Sequence, residues 1–220
     1  MNCIATVAAG PVERLAALTL PGLRSYAKHC GAELVIIDRL FHGMHPSFSK
    51  MYLYDVVRQY DRVAYFDLDV LIRRTAPNIF DSFPERNAFV AYDEREVWKK
   101  AGRDAIDHTM KTLGVLCDVY FNAGVMIPPS GASEIFLPEG IVPVDIYNDQ
   151  TWLNARLKQS AHPFLDAGRR WNSLGVFRPE GVVDEGINVI HYAGLVGCHR
   201  CRLIAADLAL YGDNFFRGGR

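Results

Sequence analysis

The chain is short of cysteine: its 220 residues include five (Cys3, Cys30, Cys117, Cys198 and Cys201), an odd number without framework spacing. That excludes a disulfide scaffold and points to a reducing compartment. An excess charge is missing as well. Lys and Arg number 24 against 25 Asp and Glu, for a net charge of -1 and a pI near 6.6. No broad field gathers nucleic acid or an anionic membrane, so an anionic ligand has to be held by local groups. No apolar run approaches the length of a transmembrane helix. The first ten residues, MNCIATVAAG, carry no basic leader, and their apolar run stops at Gly10 and Pro11. The expectation is therefore no secretion signal, no membrane span and a cytoplasmic protein. Internal repeats, low-complexity segments and Pro/Gly/Ser-rich linkers are lacking too, which leaves one domain over 1–220.

What is present is ordinary in bulk, half hydrophobic and 22% charged, as in a soluble globular protein. The order of elements is more informative. CIATVAA (3–9) reads as a buried strand. Residues 12–30 have apolar spacing for a helix, which Pro21 is expected to kink or split. AELVIID (32–38) reads as a second strand. A His/Gly/Pro-rich loop (41–47) leads to a helix from about 49 to 60, and VAYF (63–66) begins a third strand. Strand, helix, strand, helix, strand predicts an α/β fold with a doubly wound, mainly parallel sheet flanked by helices. Later come a strand at 88–92, a mostly helical stretch over 93–116 whose DEREVWKK reads as a solvated charged face, and a strand at 119–127. A helix over 148–159 has an N-cap candidate at its start, and a late strand over 187–194 ends near His191. Within 119–127, Gly124 marks a bulge or a close approach to the backbone. CHRC (198–201) lacks a second pair for zinc and does not follow the first strand, so a reduced pair in a turn is expected.

The unusual stretch is VAYFDLDVLI (63–72). Asp67 and Asp69 sit one residue apart at the end of a buried strand. At about 6 Å and an effective dielectric of about 20 they repel by roughly 3 kcal/mol, so something must offset them. A bound cation, a nucleophile with its acid, and a pair of water-facing strand-end caps all remain open from these residues alone. In doubly wound sheets, ligands sit beyond the carboxyl ends of the strands, where this pair lies.

FSK (48–50), FDLDVLI (66–72), FNAGVM (121–126), NDQTWLN (148–154) and HYAG (191–194), in this order, resemble glycosyltransferase family 8, the family of glycogenin and the lipopolysaccharide galactosyl- and glucosyltransferases. The likeness runs from Cys3 to about Gly194. It implies a GT-A fold, Rossmann-like, with a nucleotide-binding half over about 1–92 and a donor-sugar and acceptor half over about 93–220. It also implies transfer of a hexose from a nucleoside diphosphate sugar, UDP-glucose or UDP-galactose, to a saccharide or other acceptor hydroxyl, with retention at the anomeric carbon. Asp67, Asp69 and His191 correspond to ligands of Mn²⁺ or Mg²⁺, a donor set that suits manganese. Thr6, Val7, Ala8, Lys50, Asp67, Leu68, Asn122, Ala123 and Gly194 correspond to nucleotide-sugar contacts. Asp149 and Gln150 match the pair beside the anomeric carbon, which the likeness implies as the catalytic residues. The family often continues as H-x-x-G-x-x-K-P-W; here Gly197 stands at the lysine, with His199, Arg200 or Arg202 as possible substitutes. Two rival functions compete. One is a haloacid dehalogenase-type phosphatase using Asp67 and Asp69, although that motif normally continues with Gly-Thr near the chain start. The other is a catalytically silent nucleotide-sugar binding protein.

Overall fold

A computed structural model describes residues 1–41, 43–141, 147–175, 185–195 and 197–217. Residue 42 of the predicted loop lies outside the described residues. Strands β1 (Asn2–Val7), β2 (Glu33–Ile37) and β3 (Arg62–Phe66) alternate with helices α1 (Glu13–His29) and α2 (Leu53–Gln59). β4 (Val70–Ile72) and the short helix α3 (Ile79–Ser82) follow. Next come β5 (Phe89–Asp93), α4 (Lys100–Thr112), β6 (Phe121–Ile127), α5 (Asn148–Ser160) and β7 (Phe164–Asp166). β8 (Ser173–Leu174), β9 (Val189–His191) and α6 (Gly197–Tyr211) complete the regular elements.

The central sheet runs β2-β1-β3-β6-β5-β7. β1 is parallel to β2 and β3, and β5 is parallel to β7, while β6 lies antiparallel between β3 and β5. Alternation along the strands divides the apolar side chains between two cores. Cys3, Ala5, Val63 and Tyr65 pack with α2 and α5, and Ile4, Ala64 and Phe66 pack with α1. A mainly parallel sheet with helices on both faces is what the element order predicts. A second sheet, β4-β9-β8, sits beyond the end of β3. It pairs residues far apart in the chain, Val70 with His191 and Leu71 with Ile190.

Pro21 does not split α1, which runs unbroken from Glu13 to His29. Proline removes the hydrogen bond to the carbonyl four residues earlier, but that residue, Ala17, is exposed, so water can satisfy the group. Leu15 and Thr19 before it, and Leu23, Tyr26 and Ala27 after it, hold both halves in the core. The predicted helix over 49–60 begins as a 3-10 helix (Pro46–Tyr52) and becomes α-helical only at Leu53. The 93–116 stretch contains a 3-10 turn (Arg95–Val97) before α4. CHRC forms the first turn of α6 rather than a loop, with Cys198 exposed, Cys201 buried and both free. α5 lacks a side-chain cap: it is entered through Tyr147 and Asn148, both at positive φ (51° and 40°).

Candidate functional site

The chain turns sharply after β3, so Asp67 and Asp69 are carried by a tight link into β4 rather than by a continuous strand. The Asp67 N–H donates to the Gly124 carbonyl on β6 (2.7 Å), and the Tyr192 N–H donates to the Asp69 carbonyl (2.9 Å). The first bond fixes Asp67 against β6, and the second fixes Asp69 against the residue that follows His191. His191 Nε2 lies 3.5 Å from Asp67 Oδ2 and 3.3 Å from Asp69 Oδ1. The ligand atoms of the three residues all fall within 4.8 Å of one another. Two carboxylates and one imidazole at that spacing can hold a divalent cation.

Gly124 explains how the imidazole fits. A Cβ there would overlap the His191 ring, standing 2.7 Å from Nε2 and closer still to Nδ1 and Cε1. The two sequence readings of this glycine both apply. Phe121 and Ala123 face one core while Val125 and Ile127 face the other, so side-chain alternation changes phase across it, and the pairing with β5 shifts register between Ala91 and Asp93.

Cations of the protein surround the carboxylates. Lys50, buried at the end of the 3-10 helix, reaches Asp67 Oδ1 (3.1 Å) and Asp149 Oδ2 (2.9 Å). Arg200 Nη1 on α6 lies 3.1 Å from Asp69 Oδ2. The Tyr65 hydroxyl donates to Asp67 Oδ1 (2.6 Å). Burial pushes the Lys50 pKa down, but the charges of Asp149 and Asp67 outweigh it and leave the ammonium above its ordinary range. Burial likewise pushes the Asp67 carboxyl up, and Lys50, His191 and Tyr65 together hold it well below the usual carboxylate range. His191 is lowered by burial and raised more strongly by Asp69 and Asp67, to about 9.

These groups line one cleft of about 370 Å³ beyond the carboxyl ends of β1 and β3. Val7, Lys50, Asp67, Leu68, Asp69, Asn122, Asp149, Gln150, His191 and Gly194 all border it, and Arg200 joins them. Thr6, Ala8 and Ala123 do not. Thr6 is fully buried, and Ala8 packs beside the cluster around Leu15 and Leu68. Ala123 enters through its backbone, whose N–H donates to Gln150 Oε1 (3.1 Å).

Sequence reasoning missed Glu94 and Asn172. Glu94 belongs to the stretch read as a solvated face, yet it is 1% exposed. It accepts from Asn122 Nδ2 (2.9 Å) and Gln150 Nε2 (2.5 Å). Burial raises its pKa, and the hydrogen bonds it accepts moderate that rise. Asn172, also buried, bonds to both Asn122 (2.9 Å) and His191 (2.9 Å). Neither belongs to a recognisable motif; a carboxylate directly after a strand end was the one available signal for Glu94.

No family model matches the sequence, and no curated protein matches it. Solved structures do. A galactosyltransferase, LgtC, in complex with donor and acceptor sugar analogues superposes with a TM-score of 0.58 at 17% identity, covering 94% of this chain and 96% of that one. A glycosyltransferase involved in glycosylation of the major capsid of PBCV-1 gives 0.66 at 14% identity, with 93% and 99% covered. Mouse xyloside xylosyltransferase 1 gives 0.52 at 14%, with 88% and 98% covered. The fold is GT-A. In this GT-A chain the Asp-Asp-His group, the buried lysine and the α5 start converge on one cleft. No helix among the described residues is long and apolar enough to cross a membrane.

Proposed function

We propose that the protein is a metal-dependent glycosyltransferase that moves a hexose from a nucleoside diphosphate sugar to an acceptor hydroxyl with retention. UDP-glucose and UDP-galactose are the leading donors, on family resemblance. One observation carries the reading: Asp67, Asp69 and His191 meet in the same cleft as Lys50, Asp149 and Gln150. Glycosyltransferase neighbours across nearly the whole chain support it.

Asp67, Asp69 and His191 would hold Mn²⁺ or Mg²⁺, which when bound neutralises charge developing on a departing diphosphate. The chain's own residues do the rest. Lys50 supplies an ammonium that a buried anion can share with Asp67 and Asp149. Arg200, the fourth residue of α6 and facing the cleft, takes the place of the lysine absent at Gly197 as the diphosphate cation. Val7 and Leu68 border the nucleotide side, and Asn122 and Gly194 border the sugar. Asp149, tied to Lys50, is assigned to sugar hydroxyls rather than to attack. Gln150 has its amide fixed by Glu94 and Ala123, so it meets the anomeric region in one orientation. The free cysteines accord with a reducing cytoplasmic setting.

A thermal-shift panel of nucleotide sugars with and without Mn²⁺ tests this, because a ligand that binds only the native state raises its apparent stability. The expected result is a shift with a UDP-hexose that needs Mn²⁺, and metal-dependent UDP release that Asp69→Asn abolishes without unfolding. Free phosphate from aryl phosphates with no response to any nucleotide sugar would overturn it. A donor-specific shift without turnover would favour the silent binding protein.

A further inference from the structure

Two buried asparagines, Asn122 and Asn172, connect Glu94 to His191, and each link has a readable direction. The backbone N–H of Gly124 can only donate, so Asn122 turns its amide oxygen to Gly124 and its amide nitrogen to Glu94 Oε2 (2.9 Å). Asn122 Oδ1 then accepts from the Gly124 N–H (2.9 Å) and from Asn172 Nδ2 (2.9 Å). Asn172 is left with its oxygen toward His191 Nδ1, 2.9 Å away. A carbonyl oxygen cannot donate, so the hydrogen of this bond belongs to Nδ1. Nε2 therefore faces Asp67 and Asp69 with its lone pair whenever the ring is neutral. Turning Asn122 round would set its nitrogen against two donors, Gly124 N–H and Asn172 Nδ2, so the chain cannot reverse piecemeal. Glu94 is 1% exposed, Asn122 6%, Asn172 0% and His191 2%, so little water reaches the chain to substitute for a lost partner.

We propose that Glu94, Asn122 and Asn172 form a directional relay that fixes the His191 tautomer, with Asn172 the positioning residue that leaves Nε2 free to bind a divalent cation. The metal part of this inference rests on the function proposed above. A histidine ligand whose second nitrogen is held by a hydrogen-bond partner has its tautomer and ring orientation set, and removing such a partner typically costs 10–100-fold in metal affinity.

Two measurements test the relay. The first is long-range ¹⁵N–¹H NMR of the metal-free, full-length protein at alkaline pH, where the ring is neutral. Wild type is expected to carry the hydrogen on Nδ1, and Asn172→Leu and Glu94→Leu to show a mixture of tautomers. A hydrogen on Nε2 in wild type overturns the proposal, and that spectrum decides the matter even if a variant fails to fold. The second is Mn²⁺ titration followed by electron paramagnetic resonance, in which Asn172→Leu should raise the Kd about 10–100-fold. An unchanged tautomer together with an unchanged Kd in folded Asn172→Leu also overturns it. If wild type binds no Mn²⁺, the metal-dependent function falls while the NMR result still decides the relay.

Discussion

Replacing Gly124 with alanine asks whether the central strand is bare there to admit the imidazole. The new Cβ would stand 2.7 Å from His191 Nε2 and nearer still to Nδ1 and Cε1. Neither side can give way easily. The Gly124 N–H is bonded to Asn122, its carbonyl accepts from Asp67, and β6 is hemmed in by β3 and β5. The ring is gripped at Nδ1 by Asn172 and faces two carboxylates at Nε2. Forcing extra volume into a packed interior costs about 1–3 kcal/mol, and losing the Asn172 bond adds about 1 kcal/mol. In a chain of 220 residues, each kcal/mol lowers Tm by about 2–4 °C, so a total of about 2–4 kcal/mol lowers it by roughly 4–16 °C. Displacement of the ring also removes one of the three proposed cation ligands. Wild type with Mn²⁺ at 100 times its Kd should gain about 2.7 kcal/mol, and Gly124→Ala should lose most of that gain. Differential scanning fluorimetry with and without Mn²⁺ reads both effects. A variant with the wild-type Tm and the full Mn²⁺ shift would refute the account of this glycine.

Two further outcomes follow from the charges. Burial lowers the His191 pKa but Asp69 and Asp67 raise it to about 9, above the unfolded value of about 6.5. In the metal-free protein this pairing therefore stabilises fully below about pH 6.5 and is lost as the pH rises through about 9. A cation at Nε2 must displace the same proton, so Mn²⁺ affinity measured by calorimetry should rise by up to about tenfold per pH unit toward pH 9; a flat profile from pH 7 to 9 contradicts it. Arg200→Ala should weaken UDP binding about 10–100-fold, the range for loss of a charge-assisted hydrogen bond of about 1.5–3 kcal/mol. It should leave Mn²⁺ affinity no weaker, because Asp69 loses a competing cation; unchanged UDP affinity would remove Arg200 from the diphosphate site.

Much of the fold was legible because β1, β2 and β3 are apolar runs separated by helical spacing, and that order admits few topologies. The site was legible where a short motif carries the chemistry: FDLD, FSK, NDQ and HYAG supply residues that border one cleft. The second sheet was legible only in β9, which lies in the late strand read over 187–194; β4 and β8, of three and two residues, are too short to show periodicity, and β4 meets β9 across more than a hundred residues. Glu94 was misread for a similar reason. Its neighbours in sequence are charged, and its burial depends on amides contributed by residues 122 and 150. Asn172 follows two arginines and a tryptophan with nothing to mark it. Only the path of β9 beside β8 brings it to His191.

Two carboxylates spaced like Asp67 and Asp69 repel by roughly 3 kcal/mol at an effective dielectric of about 20, and cationic side chains in the cleft offset this. Each carboxylate has a cationic partner: Lys50, shared with Asp149, at 3.1 Å from Asp67, and Arg200 at 3.1 Å from Asp69. At the same dielectric each pair attracts by about 5 kcal/mol before desolvation. The protein's own cations thus engage the same carboxylates that would hold the proposed metal ion. Binding a divalent ion alone is an exchange, with Arg200 and the His191 proton displaced and Lys50 left beside a new positive charge. A diphosphate changes that balance by giving Lys50 and Arg200 anionic partners as the carboxylates turn to the metal. Cation and nucleotide should consequently bind cooperatively, and by linkage each must raise the affinity of the other by the same factor. A coupling of about 1–3 kcal/mol makes that factor about 5–150. Calorimetric titration of Mn²⁺ with and without saturating UDP measures it. Equal Mn²⁺ affinities in the two titrations would mean that the cations lining the cleft do not exchange partners, and the electrostatic account of the site would fail.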